Sequence, residues 1–153
     1  MRRTFLASGA AAAASAAVPA AVLAQGAPGN PVSTPWAGPY GGVPAFDKVR
    51  TEDFKPAIEA AIEERRREIR ALTVVRSAPT FENTVAALEN GGRTLDLATT
   101  IYGVIGGNLS TPEFRMVEKE IDPQLSALSD EITQNPALFS RIETVSRIAR
   151  LVA

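Results

Sequence analysis

Pro79-Thr80-Phe81-Glu82-Asn83-Thr84-Val85-Ala86-Ala87-Leu88-Glu89 is the stretch from which the rest of the chain is read. Pro79 disfavours helical backbone at Ala78, and the Thr80 hydroxyl is placed to cap the free N–H groups of the turn that follows. Phe81, Val85 and Leu88 then recur at helical spacing, so the sequence predicts a helix starting at Phe81 with these side chains on one apolar face. The pattern runs on through Leu95, Ile101 and Tyr102 to about Ile105. Gly91-Gly92 is its weak point, because each glycine costs roughly 1 kcal/mol relative to alanine in a helix interior, and a kink or break is expected there. Gly106-Gly107-Asn108 reads as the stop.

Upstream, Phe54, Ile58, Ala61, Ile62, Ile69 and Leu72 form a stripe that predicts a helix from about Glu52 to Leu72. Thr51 is its expected cap, Glu52 and Asp53 suit the positive end of the helix dipole, and Pro56 is tolerable only near such a start. Glu63-Glu64-Arg65-Arg66-Arg67-Glu68 is mixed in sign, with Glu63 and Arg67 four apart, and reads as a solvated face. Downstream, Thr111-Pro112-Glu113 combines a cap, a proline at the first helical position and an acid in the first turn. Phe114, Val117, Ile121, Leu125, Leu128 and Ile132 then continue in phase across Pro123, so one helix with a bend near Asp122 is expected. Asn135-Pro136 opens a last helix, whose apolar positions are Leu138, Phe139, Ile142, Val145, Ile148 and Leu151. No strand pattern of any length occurs. The fold class is therefore all-α, a helical bundle-like body in its simplest up-down arrangement, preceded by an extended Pro/Gly-rich arm.

The first 24 residues read as an export signal: a basic start at Arg2-Arg3, an uncharged Ala-rich run to Leu23, and a small-x-small cleavage site at Val22-Leu23-Ala24. The paired arginines before Phe5-Leu6 leave twin-arginine and general secretion both open. The expected location of the exported chain is the periplasm, with no stable membrane anchor after cleavage. Residues 25–50 form the arm, where Pro28, Pro31, Pro35, Pro39 and Pro44 forbid a helix. Trp36, Tyr40 and Phe46 are too large to leave wet, so the arm is expected to lie along the helical body of residues 51–153.

With 153 residues, a net charge of -1 and a pI near 5.6, the chain is one ordinary globular domain without a nucleic-acid footprint. It contains neither histidine nor cysteine. Disulfides, thiolate or imidazole metal sites, and Ser-His or Cys-His nucleophiles are thereby excluded from this chain. Gly103, Gly106 and Gly107 follow a helical pattern and match no phosphate-binding spacing. Glu118 and Asp122 sit one turn apart, and two carboxylates without further ligands are a poor cation site. No catalytic, cofactor-binding or metal-binding residue is assigned.

The letters Thr80-Phe81-Glu82-Asn83-Thr84-Val85 with Leu88-Glu89 resemble a segment near the start of M3-family zinc metallopeptidases, the thimet oligopeptidase and peptidyl-dipeptidase group. Further landmarks agree in order: Pro39-Tyr40, Phe46-Asp47-Lys48-Val49, Asp53-Phe54-Lys55-Pro56-Ala57, Thr111-Pro112-Glu113, Pro123-Gln124-Leu125, Asn135-Pro136-Ala137-Leu138-Phe139 and Arg141-Ile142. The resemblance implies an N-terminal helical part that helps wall a channel for short peptides. It also implies a zinc centre on a His-Glu-x-x-His helix elsewhere in a full-length relative, so this chain alone carries no cofactor and acts on peptides only with a downstream catalytic part. After Val145 the letters depart from the family, as expected of a truncated or frameshifted reading frame. Two functions stay open: the N-terminal fragment of an exported zinc peptidase, and a free-standing exported helical binding module without catalytic activity.

Overall fold

The computed structural model describes residues 29–39 and 42–152. The export signal of residues 1–24, and Tyr40 in the arm, lie outside them. Four long helices and a short one make up the body: α1 (Thr51–Thr73), α2 (Ala87–Asn90), α3 (Arg93–Leu109), α4 (Pro112–Thr133) and α5 (Pro136–Val152). A π-helical turn, Phe81–Ala86, runs directly into α2, and a 3-10 turn, Phe46–Lys48, precedes α1. The described residues contain no strand, only an isolated bridge between Ala37 and Val43. The chain is all-α.

The cross-helix contacts give the topology. Lys55 pairs with Glu120, Gln124 donates to Glu59 at 3.1 Å, and Arg66 donates to Glu131 at 2.7 and 2.6 Å. All three pairs keep one sequence offset, so α1 and α4 run parallel. Phe54 meets Tyr102 while Glu68 meets Gly92, so α3 runs antiparallel to α1. The result is an up-down-up body in which α1 packs on both other helices. Its core holds Phe54, Ala57, Ile58 and Ile62 from α1, Ala98, Ile101 and Tyr102 from α3, and Phe114, Ile121 and Leu128 from α4. Phe54 lies edge-on to Phe114, with ring centroids 5.1 Å apart and planes at 89°, a favoured arrangement of ring quadrupoles.

Caps differ from the sequence reading in one place. Thr111 caps α4 as expected, accepting from the Phe114 N–H at 3.2 Å. At α1, however, Thr51 is already helical, and the Asp53 carboxylate accepts from the Arg50 N–H at 2.8 Å. Pro123 leaves α4 continuous, because its missing N–H falls on an exposed face while the apolar stripe stays in phase.

The expected break falls at Gly91-Gly92, where Gly92 adopts φ +80°. A Cβ there would also lie 3.2 Å from the Arg65 guanidinium. Gly92→Ala is expected to cost about 1–2 kcal/mol from the left-handed backbone, read as a lowered urea midpoint at unchanged slope. Beyond it α3 runs to Leu109, so Gly106-Gly107-Asn108 is not a stop. Gly106 is instead a close-approach point: a Cβ would meet Glu118 Oε1 at 2.8 Å and the Phe114 ring at 3.3 Å. Packing against α4 holds the helix through glycines that local propensity alone would end.

The last helix departs most from expectation. Leu138 joins Ile69 and Leu72 in a second small cluster, but Phe139 is 65% exposed, Ile148 49% and Leu151 82%. The short turn at Gln134-Asn135 sends α5 across the C-terminal end of α1 and onto the Phe81–Ala86 turn. It therefore does not complete an up-down four-helix bundle. The arm lies along the body as expected, but Val32 is its buried anchor while Phe46 is 41% exposed. Asn30 fastens it by donating to the Asp53 carbonyl at 2.9 Å.

Candidate functional site

The stretch that opens the sequence reading folds into a polar knot. The Thr80 hydroxyl accepts from the Asn83 N–H at 3.1 Å, and the Asn83 side-chain carbonyl accepts from the Thr80 N–H at 2.9 Å, a reciprocal cap with asparagine in the usual Glu position. The π-turn then places one extra residue per turn and shifts the phase of the face. Thr84 is fully buried, while Phe81, expected to face the core, is 59% exposed. Val85 and Leu88 are half-buried.

Arg141 of α5 closes the knot. It is 8% exposed, and it donates to the Val75 carbonyl at 3.1 Å, to Asn83 Oδ1 at 2.8 Å and to Thr84 Oγ1 at 3.2 Å. Thr84 in turn donates to Asn83 Oδ1 at 2.9 Å, and Asn83 Nδ2 donates to the Ala78 carbonyl at 2.9 Å. A guanidinium suits this task because its planar donors are fixed in direction and stay charged. The motif letters thus serve to tie α5 to the segment before α2. In the sequence Arg141 stands only as one letter of the Arg141-Ile142 landmark, which assigns it no role. One signal was available: a single cation three residues after Leu138 and four before Val145, on the face those two bury.

A second clamp sits one helix away. The Glu68 carboxylate accepts from the Gly92 N–H at 2.7 Å and from Arg65 at 3.1 Å, and Arg65 donates to the Leu88 carbonyl at 3.1 Å. Glu64 is 7% exposed. The charge run is therefore not simply a solvated face. Glu63 pairs at 2.6 Å with Arg66 instead of Arg67, because Arg66 is already drawn toward Glu131 on α4. Hydrogen bonds to Glu131 and then Glu63 raise the Arg66 pKa, and that to Arg66 lowers the Glu131 pKa. The pair is partly solvent-exposed, and its contribution to stability is modest.

Tyr102 donates to Asp122 Oδ1 at 2.7 Å across α3 and α4. Burial first, and then this carboxylate, hold the phenol's pKa above its ordinary value. The sign follows: the unfolded phenol ionises near pH 10 and the folded one does not, so stability present below that pH falls as pH rises above it. Unfolding midpoints measured between pH 8 and 11.5 are expected to fall from about pH 10, with a smaller fall in Tyr102→Phe.

A groove of about 460 Å³ lies between the arm and the first turns of α3, lined by Ser33, Pro35, Trp36, Arg93, Thr94, Asp96, Leu97 and Thr100. Two of its residues carry buried polar atoms without a partner, Trp36 Nε1 and Thr94 Oγ1. Such an atom costs about 1–3 kcal/mol against a satisfied one. Trp36 stands out in the sequence as an aromatic of the arm, whereas Thr94 does not, since a lone threonine in a helix gives no signal.

None of these arrangements is a hydrolytic centre. The Asp and Glu side chains of the described residues nowhere gather in groups of three, and the sequence offers no histidine or cysteine. Glu118 and Asp122 bring in no third ligand. These residues do not fit a zinc ion, and no chemical step is derived through one. Among the described residues no helix is long and apolar enough to cross a membrane.

No family model matches the chain. Over 102 residues, however, it is 31% identical to a dipeptidyl carboxypeptidase of Salmonella typhimurium, and 28% identical to one of Escherichia coli. Over these residues the chain is similar in sequence to dipeptidyl carboxypeptidases. The match takes in 67% of this chain but only 15% of the length of each of these relatives. The site geometry gives the motif residues a structural role, with Thr80, Asn83 and Thr84 engaged by the cap and by Arg141.

Proposed function

We propose that this chain serves as the N-terminal helical region of an exported M3-type zinc peptidase that removes dipeptides from short peptides. In this reading the zinc centre and the peptide-cleaving chemistry reside in a downstream part, and residues 29–152 supply a rigid helical wall. The observation that carries it is the match to two dipeptidyl carboxypeptidases over two-thirds of this chain and a small fraction of theirs. The apolar surface left open on α5, at Phe139, Ile148 and Leu151, supports the same reading, since a larger protein would cover it. Export rests on the leader pattern of residues 1–24 alone.

The deciding experiment is to sequence the coding DNA past codon 153 in all three frames, then to express the joined reading frame. A His-Glu-x-x-His segment, with chelator-sensitive release of dipeptides by the joined protein and none by the short chain, is the expected result. Absence of any such segment, or chelator-sensitive cleavage by the short chain alone, overturns it. A free-standing binding module is the second reading. It is favoured by the closed core of α1, α3 and α4, which needs nothing further to bury Phe54, Ile58, Ile101 and Phe114.

A further inference from the structure

We propose that the groove between the arm and α3 binds an α-carboxylate flanked by an apolar side chain, either a free apolar amino acid or the end of a peptide. This site is separate from the peptidase reading and does not depend on it. The groups around the groove are mostly donors. Trp36 Nε1 and Thr94 Oγ1 lack partners, Thr94 is 2% exposed, and both residues form the wall. The Arg93 guanidinium reaches only Asn90 among the described residues, at 3.4 and 3.5 Å, and is free to turn toward an anion. The Glu68 carboxylate already meets the Gly92 N–H at the start of α3, so the attraction for an anion in the groove comes from the Arg93 guanidinium and not from the helix dipole.

The rest of the wall selects what accompanies the carboxylate. Pro35, Trp36 and Leu97 are apolar and suit a branched or aromatic side chain. Asp96, the single acid, opposes an anion placed beside it and instead suits the ammonium of a free amino acid. Both orphaned atoms are buried within residues that line the groove, so the carboxylate reaches them only if the Trp36 ring moves aside. Trp36 also lines a second groove of about 400 Å³, together with Pro31, Ala37, Val43 and Lys48.

Trp36 is the one tryptophan of the sequence, so its fluorescence reports on this groove in the full chain. Titration with leucine, N-acetyl-leucine and leucinamide separates the contributions. Saturable changes are expected with N-acetyl-leucine, with leucine or with both, and at least tenfold weaker binding with leucinamide, which lacks the carboxylate. Saturation by N-acetyl-leucine alone identifies a peptide end as the source, and tighter binding of leucine, lost in Asp96→Asn, identifies the free amino acid. Thr94→Val and Arg93→Gln should each weaken binding at least fivefold. The first is nearly isosteric and the second lies on the surface, and circular dichroism checks that both fold. A linear, non-saturating response, an equal response to leucinamide, or unchanged binding in both variants overturns the proposal.

Discussion

Phe54→Ala is expected to destabilise the protein by about 4 kcal/mol, the largest effect of any single truncation considered for this chain. Phe54 is 1% exposed and touches both other aromatic rings of the core, Tyr102 at 5.9 Å and Phe114 at 5.1 Å. Its removal forfeits the transfer term, leaves a cavity between three helices, and loses ring contacts, edge-on with Phe114 and tilted with Tyr102, worth about 0.5–1.5 kcal/mol per pair. A small domain holds only about 5–15 kcal/mol in all, so thermal unfolding should move down by roughly 15 °C. The matching control is Phe81→Ala. Phe81 is 59% exposed, and its truncation should change stability by about 0.5 kcal/mol or less. Equal effects of the two substitutions would show that Phe81 faces a core, and would contradict the phase shift of the π-turn.

Arg141→Ala is expected to cost about 3 kcal/mol, because it removes the hydrogen bonds of one buried cation to Val75, Asn83 and Thr84 and leaves the Val75 carbonyl without this donor. The Thr84 hydroxyl and Asn83 Oδ1 keep their mutual bond, while the link between α5 and the Val75–Thr84 segment is lost. The loss is local as well as global. Amide exchange at residues 80–86 and in α5 should accelerate more than at α1 or α4. Asn83→Ala should weaken the same unit, and the double variant should fall short of the summed single effects by about 1–2 kcal/mol. Full additivity would mean that Arg141 and Asn83 act separately, and the knot would then not be a unit.

These two residues also mark how far pattern reading reaches. Phe54 is part of a regular stripe, and its burial follows from helical spacing within α1. Arg141 lies on a face that periodicity would assign to apolar side chains, and its acceptors stand 57 to 66 residues away. No short-range rule connects those positions. The same holds for Thr94, whose place in the groove depends on where the arm crosses α3.

By itself the sequence determined the all-α class, the extent of α1 and α4, the caps at Thr80 and Thr111, and the break at Gly91-Gly92. Each of these is decided within a turn or two of chain, by capping oxygens, proline, glycine and a repeat of 3.6 residues. Only the tertiary structure decided that α3 continues through its glycines, that Thr84 turns inward while Phe81 turns out, and that α5 leaves most of its apolar stripe uncovered. An apolar stripe says that a helix has a face to bury. Which neighbour covers it, and over how many turns, is set by the direction of the preceding turn and by partners brought in from far along the chain.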